Sequence, residues 1–503
     1  MKREGRHFSE DLEKDLNKMK STVDYRLPTD KRCTFMETMC KINNLRIPGK
    51  SLLLLGLILM MLILPVSAAT VEENTQAIAD VQTALTVVWL ILCGGIVFLM
   101  HAGFSLVEIG LTRVKNTANI LMKNFMTVCL GIVVYWVMGW AIMYGADYAG
   151  IIGSDQFFMS GADNAIWTSW WFQMVFAATG ATIVSGAMAE RTSFKAYLIY
   201  TVLMVGLIYP VFGHWVWSGV GILTTGPIVD AIGVGYHDFA GSSVVHMIGG
   251  FSALAGVLLV GPRIGKFKSG KPVVIPGHSL PLAFLGTLIL AFGWVGFNGG
   301  STLNGNDPYI GLVIANTFLA AGAGAIMVLL ITWMKTGKPD PSLTANGMLA
   351  GLVAITAPCG SVASWAAVVI GLIAGIIVYA GVMFNEYKLK LDDPVGAIAV
   401  HGYSGAWGIL SVGIFAIGQG NGIVADAAYT AAGAGLLYGG YQQFMIQVVG
   451  LIMAIIWAFV ISYVIFKILD AVMGLRVPEE DEIAGLDIKE HGMSAYPEFV
   501  LAE

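Results

Sequence analysis

Two stretches decide the reading: DFAGSSVVH, from Asp238 to His246, and DPVGAIAVH, from Asp393 to His401. In each, the histidine follows the aspartate by eight positions and lies inside a long apolar run. An ionisable side chain at membrane depth is costly, so it points to function. A matched pair in corresponding segments points to an internally duplicated path with the two histidines facing each other inside it. A lone buried histidine is more often a satisfied core residue, and the matching is what favours a shared site. His101, on another apolar helix, has no such counterpart and reads as core. His7, His214, His237, His278 and His491 read as peripheral.

The surrounding chain is that of a polytopic membrane protein in a lipid bilayer. Hydrophobic residues make up 56% and charged residues 12%, about half the charged share of a soluble domain. A net charge of −5 calls for no nucleic-acid partner. Cys33, Cys40, Cys93, Cys129 and Cys359 show no paired spacing, so neither a disulfide framework nor a metal site is read from them. Residues 1–50 form a polar, charged extension. In SLLLLGLILMMLILPVSAAT, Ser51 to Thr70, Arg46 and Lys50 precede a short apolar core that exits through Val66-Ser67-Ala68. That pattern reads as a cleaved signal peptide over 51–69, with a true first span as the alternative. Initiation at Met36 or Met39 would make residues 1–35 an over-extended start.

Some eleven apolar segments follow, each long enough to span, as a crossing needs roughly 20 residues. They run near 82–104, 120–145, 168–189, 196–217, 238–261, 278–298, 310–334, 344–360, 362–385, 394–418 and 436–467. Arg113, Lys115, Lys123, Arg191, Lys195, Arg263, Lys266, Lys268, Lys271, Lys335, Lys338, Lys388 and Lys390 all follow odd-numbered segments. The even-numbered connections offer Asp147, Asp155, Asp163, Asp230, Asp307 or Asp426 instead. Positive-inside bias then sets the mature N-terminus outside and the tail, 468–503, in the cytoplasm of a cell (plasma) membrane. The expected fold is all-α: a five-plus-five inverted repeat plus one extra helix, over a domain at 80–467. The Asp-His stretches open the fifth and tenth segments from opposite faces, so their histidines would meet near the midplane.

Chemistry along the path follows from what lines it. His214-Trp215-Val216-Trp217 ends the fourth segment and Phe297-Asn298-Gly299-Gly300-Ser301 the sixth, both on the outer side. Aromatic faces attract a cation by about 0.5–2 kcal/mol, and a hydroxyl accepts a hydrogen bond from an N–H cation. An interfacial aromatic belt is the plainer explanation of any single ring. No lysine, arginine or carboxylate is read along the apolar route beyond Asp238 and Asp393, which begin their helices and cap exposed N–H groups. Such a route is poor for a hydrated metal ion. It suits a small molecule that sheds its charge, its proton carried separately by imidazoles. A membrane enzyme using the histidines as metal ligands is the rival of another class, but no H-E-x-x-H spacing or third ligand is found.

From about residue 80 to the end, the chain resembles the ammonium transporter (Amt/Mep/Rh) family, prokaryotic Amt type. The resemblance rests on AGFSLVEIGLTRVKNTANILMKN, GAMAERTSF, DFAGSSVVHMIGG with GPRIGK, GFNGGS, DDPVGAIAVHGYSGAWG and GLRVPEEDEIAGLDIKEHG. It implies a homotrimer with one pore per subunit and ammonium or ammonia as substrate, without cofactor or enzymatic activity. Trp217 and Ser301 would recruit ammonium, Phe176 and Phe297 would form the gate below, and Asp238 would stabilise that site. His246 and His401 would be the hydrogen-bonded pair of a hydrophobic pore, with Asp393 structural. The tail motif, with Gly474, Arg476 and Pro478, reads on composition alone as solvated; the resemblance implies docking against neighbouring subunits and a PII-type signalling protein as partner. An ammonium sensor signalling through its tail is the alternative. Such a receptor is expected to carry a fused domain after the eleventh span, where this sequence has about 36 residues.

Overall fold

The computed structural model describes residues 70–418 and 432–499. The extension over 1–50, the signal-like segment 51–69 and Asp426 lie outside the described residues. The chain divides into two units, Met1–Ala77 and Ile78–Glu503. In the described part of the first, the Thr70 amide donates to Glu73 Oε2 (2.7 Å) and the Glu73 amide to Thr70 Oγ1 (3.1 Å). This reciprocal capping box starts a helix by satisfying its free N–H groups.

Among the described residues nine helices are long and apolar enough to cross a membrane. These are α1 (Val71–Leu111), α2 (Val114–Tyr144), α4 (Phe194–Trp217), α5 (Ser242–Val260), α6 (Leu280–Gly299), α7 (Ile310–Thr336), α9 (Ser364–Leu389), α10 (Ile398–Phe415) and α11 (Tyr441–Met473). Two further helices, α3 (Asn164–Ala187) and the shorter α8 (Pro341–Ile355), bring the series to eleven. The order matches the expected segments, but several ends shift: α1 begins at Val71 rather than near 82, α2 at Val114 rather than near 120, and α11 runs from Tyr441 to Met473 rather than 436 to 467. Helix α1 runs on to Leu111 instead of ending near 104, since its last turns remain buried and Glu108 bonds inside the bundle. Helix α8 ends at Ile355 rather than 360; Asp340 caps its start and Pro341 fills its first turn.

Helix surfaces follow the solvent they face. On α11, Ile452, Ile456, Val460, Val464 and Ile468 are exposed at four-residue spacing, while Gly450, Ala454, Ala458 and Ser462 face inward. Small residues let backbones approach where lipid offers no hydrophobic drive. At the α7–α8–α9 junction a Cβ on Gly351 or on Gly371 would lie 2.2 Å from the Ala320 carbonyl oxygen. No other residue fits there.

The face carrying the basic loops is closed by a buried ionic network. Glu190 adopts a left-handed backbone (φ +75°), a strain of about 1–3 kcal/mol. Its carboxylate accepts from Arg113, Asn116 and Arg263, tying three loops together. Arg263 also grips Asp392 in a fork, Nε to Oδ2 at 2.8 Å and Nη2 to Oδ1 at 2.9 Å. Arg191 adds Nη2 to the Asp392 carbonyl at 2.6 Å. Burial alone would raise the Asp392 carboxyl, but Arg263 and Arg191 hold it well below the usual range.

A carboxyl with a depressed folded value stabilises above its unfolded value, and that stability is lost only as pH falls through and below the ordinary aspartate range. Asp392→Ala leaves Arg263 buried without its partner, a loss of roughly 3–5 kcal/mol. The expected result is a clearly lower melting temperature in detergent at neutral pH, with the gap from wild type closing as pH drops below 4.

Candidate functional site

Both halves of the site are built the same way. Asp238 Oδ1 accepts from the amides of Gly241 and Ser242, each at 2.9 Å. Its Oδ2 accepts from the Ser243 amide at 2.7 Å, the Ser243 hydroxyl at 2.6 Å and the Val244 amide at 3.0 Å. Asp393 does likewise for Gly396 (2.9 Å) and Ile398 (2.8 Å). In each copy a glycine three residues after the aspartate turns the chain through a positive φ, +116° at Gly241 and +78° at Gly396. The helix then opens with a wide π-type stretch, Ser242–Met247 in α5 and Ile398–Tyr403 in α10, and each contains its histidine. Wide turns of this kind loosen the helical ladder and recur at functional sites.

Where α5 and α10 cross, there is no room for a side chain at Gly250. A Cβ on Gly250 would lie 2.3 Å from the Gly402 nitrogen and 2.6 Å from its Cα. This approach brings His246 and His401 together: their Nδ1 atoms are 3.1 Å apart and the rings lie nearly parallel, 5.2 Å between centroids at 24°. Such a bond needs one Nδ1 to carry a proton and the other to accept it, so the two tautomers are coupled. His246 is fully buried, His401 almost so, and His246 Nε2 has no partner among the described residues.

The pair sits in a column of rings. Trp294 and Phe297 each stack on His246 at 5.5 Å, and Phe176 lies 4.2 Å from Phe297. Above Phe176 opens a cavity of about 670 Å³ lined in part by Trp140, Phe172, Gln173, Trp217 and Ser301. Trp217 Nε1 donates to the Asp238 carbonyl at 2.7 Å, so only its ring face is offered to the cavity. The Ser301 hydroxyl donates to the Phe297 carbonyl at 2.7 Å. Its oxygen lone pairs are left to accept from an N–H donor. Below, Phe104 approaches His401 at 6.1 Å, and a slot of about 20 Å³ holds Glu108, Asn346 and His401.

All seven path residues expected from the sequence, Trp217, Ser301, Phe176, Phe297, Asp238, His246 and His401, thus lie along one line or bond directly to it. Trp294 and Phe104 were not anticipated, because an aromatic on an apolar helix carries no mark of what it faces. Two expectations are corrected. The route is not free of further carboxylates: Glu108 lies in the slot, hidden from the sequence reading because the first segment was ended before it. His214 is not peripheral either. It is fully buried, with Nδ1 2.9 Å from the Met143 carbonyl and Nε2 2.9 Å from Asp147, where it ties α4 to the loop after α2.

The profile of the Ammonium Transporter Family matches residues 88–496. The chain belongs to that family. It is 47% identical over 444 residues to ammonium transporter Amt2 of Archaeoglobus fulgidus, covering 87% of this chain and 92% of that one. Ammonium transporter Amt1 of Haloferax mediterranei is 41% identical over 437 residues, 84% of this chain and 81% of that one. Among solved structures, one titled Sensor Amt Protein superposes with a TM-score of 0.75 at 39% identity, covering 82% of this chain and all of that one. Mep2 of Candida albicans superposes with a TM-score of 0.72 at 26% identity, covering 83% and 93%.

The tail of this family member is folded rather than solvated, which corrects the reading from composition alone. Gly474 turns the chain out of α11 with φ +80°. Arg476 Nη2 then pairs with Glu482 at 2.7 Å and Nη1 with the Val260 carbonyl at 3.0 Å. After Pro478 come α12 (Glu479–Ala484) and α13 (Leu486–His491). Their Glu482 and Asp487 accept from the amides of Ile264 (2.7 Å), in the loop after α5, and Asn119 (2.9 Å), in the first turns of α2.

The α5–α10 crossing makes an asymmetric prediction. Gly250→Ala forces backbones apart, a cost of roughly 1–3 kcal/mol. A Cβ on Gly402 meets nothing nearer than 3.5 Å. Gly402→Ala is therefore expected to melt within a degree or two of wild type, whereas Gly250→Ala melts distinctly lower and loses transport. Equal effects of the two would contradict the crossing described.

Proposed function

We propose that the protein takes up ammonium by parting the nitrogen from its charge. The ammonium ion is held against the Trp217 face and the Ser301 oxygen, at the rim of the apolar column. Asp238 supports this site at a distance: its carboxylate is consumed by four amides and a hydroxyl, and it fixes the carbonyl that orients Trp217. A bare cation entering between Phe176 and Phe297 would lose its hydration without gaining a partner, a loss of several kcal/mol. Neutral ammonia pays little by comparison, so it is the species that passes. The proton it leaves behind travels through the coupled His246–His401 bond, one imidazole accepting as the other releases. Transport is then electrogenic.

The orientation that fits this reading puts the 670 Å³ cavity outside and the basic loops and tail in the cytoplasm of a plasma membrane. As the resemblance in the sequence implies, the assembly in this reading is a homotrimer with one path per subunit. A PII-type signalling protein would dock at the cytoplasmic face, where Gly474, Arg476 and Pro478 shape the folded tail. The observation that carries the proposal is the 3.1 Å contact between two histidines enclosed by Trp294, Phe297 and Phe104.

A second reading, an ammonium sensor signalling through its tail, is favoured by the likeness to the structure titled Sensor Amt Protein and by the tail's bonds to α2 and to the loop after α5. One experiment separates the two. A host unable to take up ammonium, expressing wild type, is expected to grow on limiting ammonium. His246→Ala or His401→Ala, present at wild-type abundance in the membrane, is expected to cut uptake at least tenfold. Wild type that supports no growth points to the sensor; uptake untouched in both variants removes the histidine path.

A further inference from the structure

Glu108 is the one carboxylate beside the ring column that the account above leaves idle. It is 2% exposed and has no ion-pair partner among the described residues. Its Oε2 accepts from Asn124 Nδ2 at 3.0 Å and from the Ser185 hydroxyl at 2.9 Å, whereas Oε1 accepts no hydrogen bond from the described residues. Lys123, the buried cation of the neighbouring helix, is directed elsewhere, with Nζ 2.9 Å from the Thr192 carbonyl. The backbone makes space for the acid: a Cβ on Gly186 would lie 3.2 Å from Glu108 Cγ and 2.6 Å from Val395.

Three groups therefore meet at the slot with capacity to spare. They are Glu108 Oε1, His401 Nε2, whose sister nitrogen is committed to His246, and the Asn346 carbonyl oxygen, whose amide is committed to Val395 at 3.0 Å. The slot's 20 Å³ exceeds the roughly 10–15 Å³ of accessible volume that a single water-sized molecule requires. An unpaired carboxyl kept at this depth is costly, and helix-to-helix bonding alone would be served by a neutral amide.

Resting on the transport reading above, we infer that Glu108 is the proton-exchange group at the inner end of the path, and that the slot it shares with His401 is where ammonia regains its charge. The carboxyl O–H bond breaks as the ammonia lone pair takes the proton, leaving a carboxylate and an ammonium ion held against it. The ion moves off to the basic face. A proton that has crossed the histidine pair leaves His401 Nε2 and restores the carboxyl, so each proton released outside is matched by one consumed inside. The charged and titratable groups around Glu108 are Lys123 on α2, Asp393 before α10, His401 on α10 and Tyr197 on α4.

The test uses full-length protein in liposomes, with currents evoked by ammonium chloride. Glu108→Gln keeps the length and the hydrogen-bonding shape but cannot exchange the proton. It is expected to lower the current at least tenfold while the melting temperature stays within a few degrees of wild type. Glu108→Asp is expected to recover part of the current. Ser185→Ala removes one bond to the charged form and so is expected to move the midpoint of the current's dependence on basic-face pH upward; it decides the matter if Glu108→Gln does not fold. Wild-type current in Glu108→Gln, or an unmoved midpoint in Ser185→Ala, overturns this inference alone. A wild type without any ammonium current overturns the transport reading and this inference with it.

Discussion

The backbone contact between Gly250 and Gly402 is the constraint on which the rest depends. Helices in a bilayer gain little from burying apolar surface against each other, so their approach is set by packing and by the few polar groups between them. At this crossing two glycines bring the backbones within van der Waals distance, and the two imidazoles then have nowhere to go but against each other. With a larger residue at Gly250, the crossing would open and the 3.1 Å bond between the rings would be the first thing lost.

The carboxylates that brace the fold are tolerated at depth because their oxygens are occupied. Asp238 and Asp393 each spend their oxygens on the amides that begin α5 and α10, and Glu190 and Asp392 spend theirs on guanidinium groups at the basic face. Buried charge left without partners would cost several kcal/mol, so this occupation is a condition of the fold. Several buried polar atoms have no partner among the described residues, His101 Nε2, Tyr209 Oη and Asn298 Oδ1 among them, but three groups with capacity to spare are aligned. His246 Nε2, the Ser301 lone pairs and one oxygen of Glu108 lie along a single line of rings from the cavity to the slot.

Much of this line was legible in the chain itself. Eight-residue spacing between an aspartate and a histidine, repeated in two apolar segments, located the pair, and the placement of lysines and arginines separated the two faces. The fold's eleven segments followed from length and hydropathy alone. Glu108 was missed because a charged residue followed by Gly110, Thr112 and Arg113 looks like a loop. In the fold that turn is helical and buried, with Asn124 and Ser185 bonded to the Glu108 carboxylate. The wide turns at the histidines left no trace in composition, and neither did the ring partners Trp294 and Phe104, whose facing depends on helix rotation. The tail looked solvated since its acidic residues carry no sign of the backbone amides and basic side chains they bond.

If nitrogen and proton travel apart, the current is limited by bonds to hydrogen rather than by the drift of an intact ion. The most direct measurement is the ammonium-evoked current of wild-type protein in liposomes, taken in H2O and in D2O under matched gradients. A current reduced in D2O well beyond the change in solvent viscosity is the expected result. Currents that differ by viscosity alone would mean that the ion crosses whole, and the account of a charge-stripping column would be wrong.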